Sequence, residues 1–233
     1  MKQDKNSIIS LLSRINIFES LPPEIICEIE QTIDGTNIKT LPKGSIFLTP
    51  ESEKAGLYII NKGKLRFYKT DPAGKQYTVC ILSESGIFGE VQSFSLGTSG
   101  TYVETMEETQ LYSIPTEQLE PLLSKHSELT LRFLSEVSMR LRVQDEVLER
   151  MVFKDLRGKV LYFLNRLSIK FGVEEKGYRK IDIPLTHQEL ANMIGATREA
   201  VSLTLQDLSN EGIIITSRKM VMIDIEKLTE ELK

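Results

Sequence analysis

Two charged residues of opposite sign, Arg198 and Glu199, stand near the start of the segment GATREAVSLTL, residues 195–205. Arg offers a planar fork of donors and a carboxylate offers only acceptors, so the pair could read two different polar edges. Upstream, Thr186-His187-Gln188-Glu189 has the spacing of a capping box, in which the Thr186 hydroxyl and the Glu189 carboxylate satisfy free backbone donors reciprocally. Leu190 and Met193-Ile194 follow, and Gly195 breaks the helix. Thr197 can then cap a second helix whose buried face is Ala200, Val201, Leu205 and Leu208. Two short helices joined by a turn containing Gly are the helix-turn-helix pattern. In that motif the first residues of the second helix meet base edges in the major groove, and Arg198, Glu199 and Ser202 project from there.

Residues 212–216, Ser217-Arg218-Lys219 and residues 220–225 read as strand, basic turn and strand. Beside a helix-turn-helix such a hairpin is a wing able to contact phosphate. Local charge agrees. Residues 154–223 hold 11 Lys and Arg against 8 Asp and Glu, net +3, whereas the whole chain is net −4. Any contact with double-stranded DNA therefore comes from a patch, not from a global field. The expected DNA-contacting set is Thr186, His187, Gln188, Thr197, Arg198, Glu199, Ser202, Arg218 and Lys219.

Other chemistries find little support. There is no activated nucleophile, no metal-ligand cluster and no phosphate-cradling loop of the Walker type, so no catalytic or metal site is expected. His126 and His187 both fall at expected helix starts and read as polar surface residues. Two cysteines, Cys27 and Cys80, do not make a disulfide scaffold. Cys80 lies in an apolar strand and reads as a core thiol, though a Cys27–Cys80 redox switch stays open. No apolar run approaches the ~18 residues of a membrane span, and MKQDKNSIIS lacks a signal-peptide core. A soluble cytoplasmic protein, neither enzyme nor membrane partner, is expected.

Elements upstream must position this reading end. Residues 7–33 read as short helices, the second opened by Leu21-Pro22-Pro23. From about residue 35 to 115, β-branched and aromatic runs recur at 45–48, 57–60, 64–69, 77–82, 102–106 and 110–114. Turns such as Asn61-Lys62-Gly63 and Asp71-Pro72-Ala73-Gly74 separate them, which predicts a small β-roll. Residues 116–153 read as one helical stretch. Leu134, Val137, Leu141, Gln144, Leu148 and Met151 step by 3 and 4, a heptad seam with one polar member. Such a helix either pairs with a second copy or packs on its own domain. Flanking Arg132, Arg140, Arg142, Glu146 and Glu149 favour pairing by leaving the other faces solvated. Asp155 can cap the following helix, residues 156–171, and residues 172–180 read as a polar loop.

The stretch LTHQELANMIGATREAVSLTLQDLSNEGII resembles the winged helix-turn-helix of the Crp/Fnr family of bacterial transcription regulators, and GIFGEVQSF is similar to its effector-binding cassette. The resemblance spans about residues 10–225. It implies an α+β homodimer: an N-terminal β-roll (a double-stranded β-helix, like cyclic-nucleotide-binding domains), a long dimerisation helix and a C-terminal winged helix-turn-helix. The corresponding domains are 1–125, 126–153 and 154–233. It further implies RNA polymerase as a partner, with Arg198 and Glu199 reading a G·C-containing half-site. Glu199 would also orient Arg198, and Leu203 stands where the family carries another reading Arg.

For the effector, the resemblance points to Gly89, Glu90, Thr101, Arg140 and Gln144. The cyclic-AMP-binding members carry an Arg-Ser pair where this chain has Gly100-Thr101, and Thr-Ser where it has Gln144-Asp145. A buried cyclic phosphate needs a fixed cation or charge-assisted donor, so cyclic AMP is not expected. Glu90 has a second reading, as an electrostatic cap on a short helix at residues 91–94. The family's iron–sulfur branch needs four cysteines, and its haem branch needs a His near the Cys. Neither pattern is present, so no cofactor is expected and the effector is unidentified. Two rivals remain: a redox- or metabolite-sensing regulator of the same architecture, and a nucleotide-binding signalling module without DNA binding.

Overall fold

The β-rich third folds as the turn spacing demands, into antiparallel sheets. The computed structural model describes residues 8–33, 38–53, 56–217 and 219–232. One sheet has the order β1-β8-β3-β6 and another β2-β7-β4-β5. The strands are β1 (Lys39–Leu41), β2 (Ile46–Leu48), β3 (Gly56–Lys62), β4 (Leu65–Thr70), β5 (Gln76–Leu82), β6 (Ile87–Glu90), β7 (Tyr102–Thr105) and β8 (Thr109–Pro115). Six of these were expected. The short strands β1 and β6 were not, because three or four residues carry too little alternation to be read.

Strand β3 is buried on both faces, which is why its sequence, GLYII, is apolar without alternation. Tyr58 and Ile60 pack between the sheets with Leu65, Phe67, Phe88, Val103 and Leu111. Leu57 and Ile59 face the other way, onto a layer of helices. That layer contains a helical turn at residues 8–12, then α1 (Pro23–Thr32), α2 (Thr116–Lys125) and α3 (Ser127–Phe153). Pro22 and Pro23 occupy the N-cap and first position of α1.

The expected single helix over 116–153 is broken. His126 stands at the break in an extended conformation, closing α2 and opening α3, where its carbonyl accepts from the Thr130 N–H at 3.2 Å. Glu28 on α1 holds the break: its carboxylate accepts from Lys125 Nζ at 2.8 Å and lies 3.0 Å from His126 Nε2. Those bonds hold the Glu28 carboxyl below the usual glutamate range. The arginines on α3 also depart from expectation. Arg132 donates to the Glu19 carbonyl. Arg140 donates to the carbonyls of Leu96 and Ile87 at 2.7 and 2.9 Å and pairs with Glu136 at 2.6 Å. Neither face is merely solvated. Long side chains on a helix satisfy free carbonyls of their own domain when the apolar stems can pack.

The second unit combines α4 (Leu156–Phe171), β9 (Gly172–Glu175), β10 (Tyr178–Ile181), α5 (His187–Ile194), α6 (Arg198–Asn210), β11 (Ile214–Ser217), β12 (Met220–Ile223) and α7 (Ile225–Glu231). Its sheet has the order β11-β12-β10-β9. Residues 172–180, expected as a loop, form the β9–β10 hairpin. Its turn is set by Lys176 and Gly177, both at positive φ. By packing, the first unit takes residues up to 69 and 79–142, and the second takes 70–78 and residues from 143 onward.

Gly89 and Gly56 carry the tightest backbone constraint in the first unit. They sit at φ +129° and +123° on paired strands, and a Cβ on Gly89 would collide with the Gly56 carbonyl oxygen. Gly100, at φ +65°, meets only the Lys69 Nζ at 3.9 Å. Gly89→Ala should therefore lower the unfolding free energy by about 3 kcal/mol or more, and Gly100→Ala by only about 1 kcal/mol. Urea midpoints of the two variants measure the contrast, and equal losses would mean that the β3–β6 approach is not limiting.

Candidate functional site

In the second unit the helix pair is built from its caps. Thr186 and Glu189 form the expected capping box, with the Thr186 hydroxyl accepting from the Glu189 N–H at 3.1 Å. Gly195 ends α5 in the left-handed conformation, φ +69°, ψ +20°, a turn that L side chains resist. Thr197 caps α6 by accepting from the Ala200 N–H at 3.3 Å. Asp155 likewise caps α4, accepting from the Gly158 N–H at 2.8 Å. Val201, Leu205 and Leu208 are buried against α4 and α5, while Ala200 is half-buried.

With those faces fixed, the first turns of α6 present Arg198 and Glu199 to solvent. Among the described residues the two make no ion pair with each other, so Glu199 does not orient Arg198 here. Leu203, one turn on, is 64% exposed, an unusual position for a leucine on an otherwise polar face. Ser202 donates to the Arg198 carbonyl at 2.8 Å and lies 2.7 Å from His187 Nδ1, so two expected DNA contacts are bonded to each other. Gln188 donates to Asn192 at 2.9 Å. Thr186 and Thr197 spend their hydroxyls on caps. Lys219 is exposed at the wing tip at φ +65°. Arg218 lies outside the described residues.

Arg157, which the sequence did not single out, ties this unit together. It donates two bonds to Glu211, at 3.0 and 2.6 Å, and one to Glu231 at 2.9 Å. These bonds raise the Arg157 pKa and hold the Glu211 carboxyl below its usual range. Only the separation of 54 residues hid this clamp, since nothing local links Arg157 to Glu211.

In the first unit a cavity of about 260 Å³ opens between β2, β3, β6 and the turn at Thr98-Ser99-Gly100. Of the five expected effector residues it brings together Gly89 and Glu90. Thr101 is buried and donates to the Thr98 carbonyl at 2.8 Å, Arg140 is committed to Leu96, Ile87 and Glu136, and Gln144 is exposed. Residues 91–94 are not helical, so Glu90 caps nothing there; it ends strand β6 instead. Sequence reading missed Thr49, Ser52, Glu53 and Thr98, whose lining role depends on how the turns fold back. Burial pushes the Tyr58 phenol up, leaving a neutral hydroxyl-bearing ring at the cavity wall. Cys27 is exposed and Cys80 is half-buried beside the inter-sheet core.

Residues 38–126 match the cyclic nucleotide-binding domain family, and residues 158–231 match the Crp-like helix-turn-helix domain family. The anaerobic regulatory protein of Bacillus subtilis is 30% identical over 161 residues, 68% of this chain and 67% of that protein. The chain belongs to the Crp/Fnr family of transcription regulators. This Crp/Fnr regulator is also 28% identical, over 96% of its length and 99% of the relative's, to the CRP-like cAMP-activated global transcriptional regulator of Mycobacterium tuberculosis. Its fold is that of a CooA mutant from Carboxydothermus hydrogenoformans, with a TM-score of 0.70 at 22% identity over 84% of this chain and 87% of that one. DNA is thus the partner of the second unit, and the function is transcription regulation. No helix among the described residues is long and apolar enough to cross a membrane.

The clamp on Glu211 sets a pH dependence for this Crp/Fnr regulator. A carboxyl held low in the folded state contributes stability that is complete above its unfolded pKa and fades as pH falls through the folded one. Glu211→Gln should therefore flatten the acid limb of the stability profile below about pH 5, with little change in its slope above pH 6. Urea unfolding from pH 3 to 7 tests this, and an acid limb identical to wild type would remove Glu211 from the account.

Proposed function

We propose that this regulator acts as a homodimer on a pseudo-palindromic DNA site, works with RNA polymerase in the cytoplasm, and answers to an effector other than cyclic AMP. The observation that carries the DNA-reading part is the exposed Arg198–Glu199 pair at the capped start of α6, unpaired with each other and followed by exposed Leu203. Arg can donate two bonds to guanine O6 and N7, and Glu accepts from a cytosine amino group. Leu203 suits a thymine methyl. Lys219 serves a phosphate, which steers and positions without reading sequence.

The dimer reading rests on α3. Leu131, Leu134, Leu141, Leu148 and Val152 are all exposed and follow one another by 3, 7, 7 and 4 residues, with Ser138 and Asp145 filling the heptad. This seam is rotated from the one expected in sequence. Val137 packs on the first unit's own core, and Gln144 falls beside the apolar stripe. A two-turn-repeating row of exposed leucines on a 27-residue helix is the surface a second copy would cover.

The effector reading rests on the cavity's charge. Its described lining contains Glu53 and Glu90 and no Lys, Arg or His, so the described residues offer a cyclic phosphate no fixed cation.

Two experiments test the proposal. Leu141 is 59% exposed, so Leu141→Glu should leave the fold intact, yield monomers in sedimentation, and abolish binding to a palindromic duplex. A mutant that remains dimeric would place the interface elsewhere. The second measures binding to half-sites carrying each base at each position, across a salt series. Arg198→Ala should cost about 1–3 kcal/mol per half-site and relax preference at one base pair. Lys219→Ala should weaken all sequences alike and make the salt dependence shallower. Equal loss on every sequence for Arg198→Ala would make Arg198 a phosphate contact and sink the reading of the pair.

A further inference from the structure

Helix α6 offers an exposed face well beyond its first turn. Burial of Val201, Leu205 and Leu208 fixes the inward side, and Glu199, Leu203 and Gln206 stand exposed on the other at i, i+4 and i+7. With Ser202 at i+3 they have the spacing by which a helix lying along the major groove meets bases. Asp207 is exposed as well, but a rotation of about 100° per residue carries it to the flank away from Ser202 and Arg198. The one carboxylate in the second half of this helix that would repel DNA backbone is thus off the face.

The four face residues are not equally available. Ser202 spends its hydroxyl on the Arg198 carbonyl and on His187 Nδ1. Gln206 is the opposite case. Its amide makes no side-chain hydrogen bond among the described residues, so its carbonyl and its NH2 can both meet a partner. The chemistry of that partner follows from the group. A primary amide accepts from the N6 amino group of adenine while donating to N7, a match no other base offers in the major groove. One turn back, Leu203 presents an apolar side chain that suits a thymine methyl. Adenine N6 and N7 and the thymine methyl are features of one kind of base pair, so the two neighbours on this face call for the same composition. Seven residues separate Glu199 from Gln206, a rise of about 10 Å, or about three base-pair steps.

From this face we infer that Gln206 is a further specificity-determining residue, whose amide reads an adenine in each half-site beside the thymine methyl covered by Leu203. A half-site then combines a G·C position at the start of α6 with an A·T position about two turns further along. The inference rests on the reading of α6 as the DNA-contacting helix and deepens it. It does not require that Arg198 itself read a base.

The test uses the full-length protein on symmetric duplexes that carry each of the four bases at each half-site position, at several salt concentrations. Wild type should prefer adenine at one position by about tenfold per half-site. Gln206→Ala should erase that preference and leave the salt dependence unchanged, because a neutral side chain releases no counterion. Gln206→Arg should move the preference at the same position from adenine to guanine and steepen the salt dependence. Both replacements are good helix formers on a solvated face, so urea midpoints should stay near wild type. The inference is overturned if wild type shows no adenine preference that Gln206→Ala erases. It is overturned equally if Gln206→Ala weakens every sequence alike, which would make Gln206 a backbone contact. Arg198→Ala is scored in the same scan. Uniform loss for Arg198→Ala beside a local loss for Gln206→Ala would sink the reading of the Arg198–Glu199 pair and leave this inference standing, and the reverse would sink this inference alone.

Discussion

The tightest constraint in the first unit is how closely strand β3 passes its two neighbours, at Gly89 on β6 and at Gly56 against β8. A side chain on Gly89 would strike the Gly56 carbonyl across the β3–β6 pairing, one on Gly56 would strike the Ile114 carbonyl of β8, and both glycines adopt positive φ. That approach fixes the direction in which the chain leaves β6, and with it the place of Glu90 at the cavity. The Gly-Glu pair therefore has two separate physical causes. The glycine answers to backbone packing, whereas the glutamate lines the cavity with a buried Oε1 that has no partner among the described residues. A Gly-Glu pair retained in a sequence is evidence of the roll first and of a ligand only second.

The long helix α3 shows a similar division within one element. Leu129 and Phe133 are buried and Val137 packs beside them, while Leu134, Leu141 and Leu148 lie exposed. Two apolar stripes share one helix, and heptad spacing alone cannot say which stripe faces which partner. Stepping by 3 and 4 from Leu134 reaches Val137, which belongs to the roll. Stepping by 7 stays on the exposed row. Arg140 settles which side is inward, because its guanidinium reaches two carbonyls of the roll.

Legibility in the sequence followed the range of the interaction. The capping box at Thr186, the caps at Thr197 and Asp155, and the left-handed turn at Gly195 are all local, and each could be read from a few neighbouring residues. The strands of the roll were legible where turn residues bounded them, and β1 and β6 were lost because they are short. The β9–β10 hairpin was mistaken for a loop because charged residues dominate it. Glu174 and Arg179 in fact pair across it at 2.8 Å. What could not be read were the contacts made across the fold: the Arg157 clamp, the break held by Glu28, and the lining supplied by Thr98. The candidate site divided likewise. The exposed Arg198–Glu199 pair was visible from helix phase, whereas the commitments of Arg140 and Thr101 to carbonyls were not.

The bond between His187 and Ser202 carries a consequence for proton inventory. A serine hydroxyl has a single hydrogen, and that of Ser202 points at the Arg198 carbonyl. Both bonds form together only when the imidazole donates from Nδ1. In a neutral ring the other nitrogen, Nε2, is then a bare lone pair, whereas a protonated ring donates from both nitrogens. In this tautomer His187 can receive a hydrogen bond from a base amino group or a water, but it has no hydrogen to give a phosphate oxygen. A serine fifteen positions away on the neighbouring helix thereby fixes which ring nitrogen of the first residue of α5 must donate inward, and leaves Nε2 as the one that faces a partner.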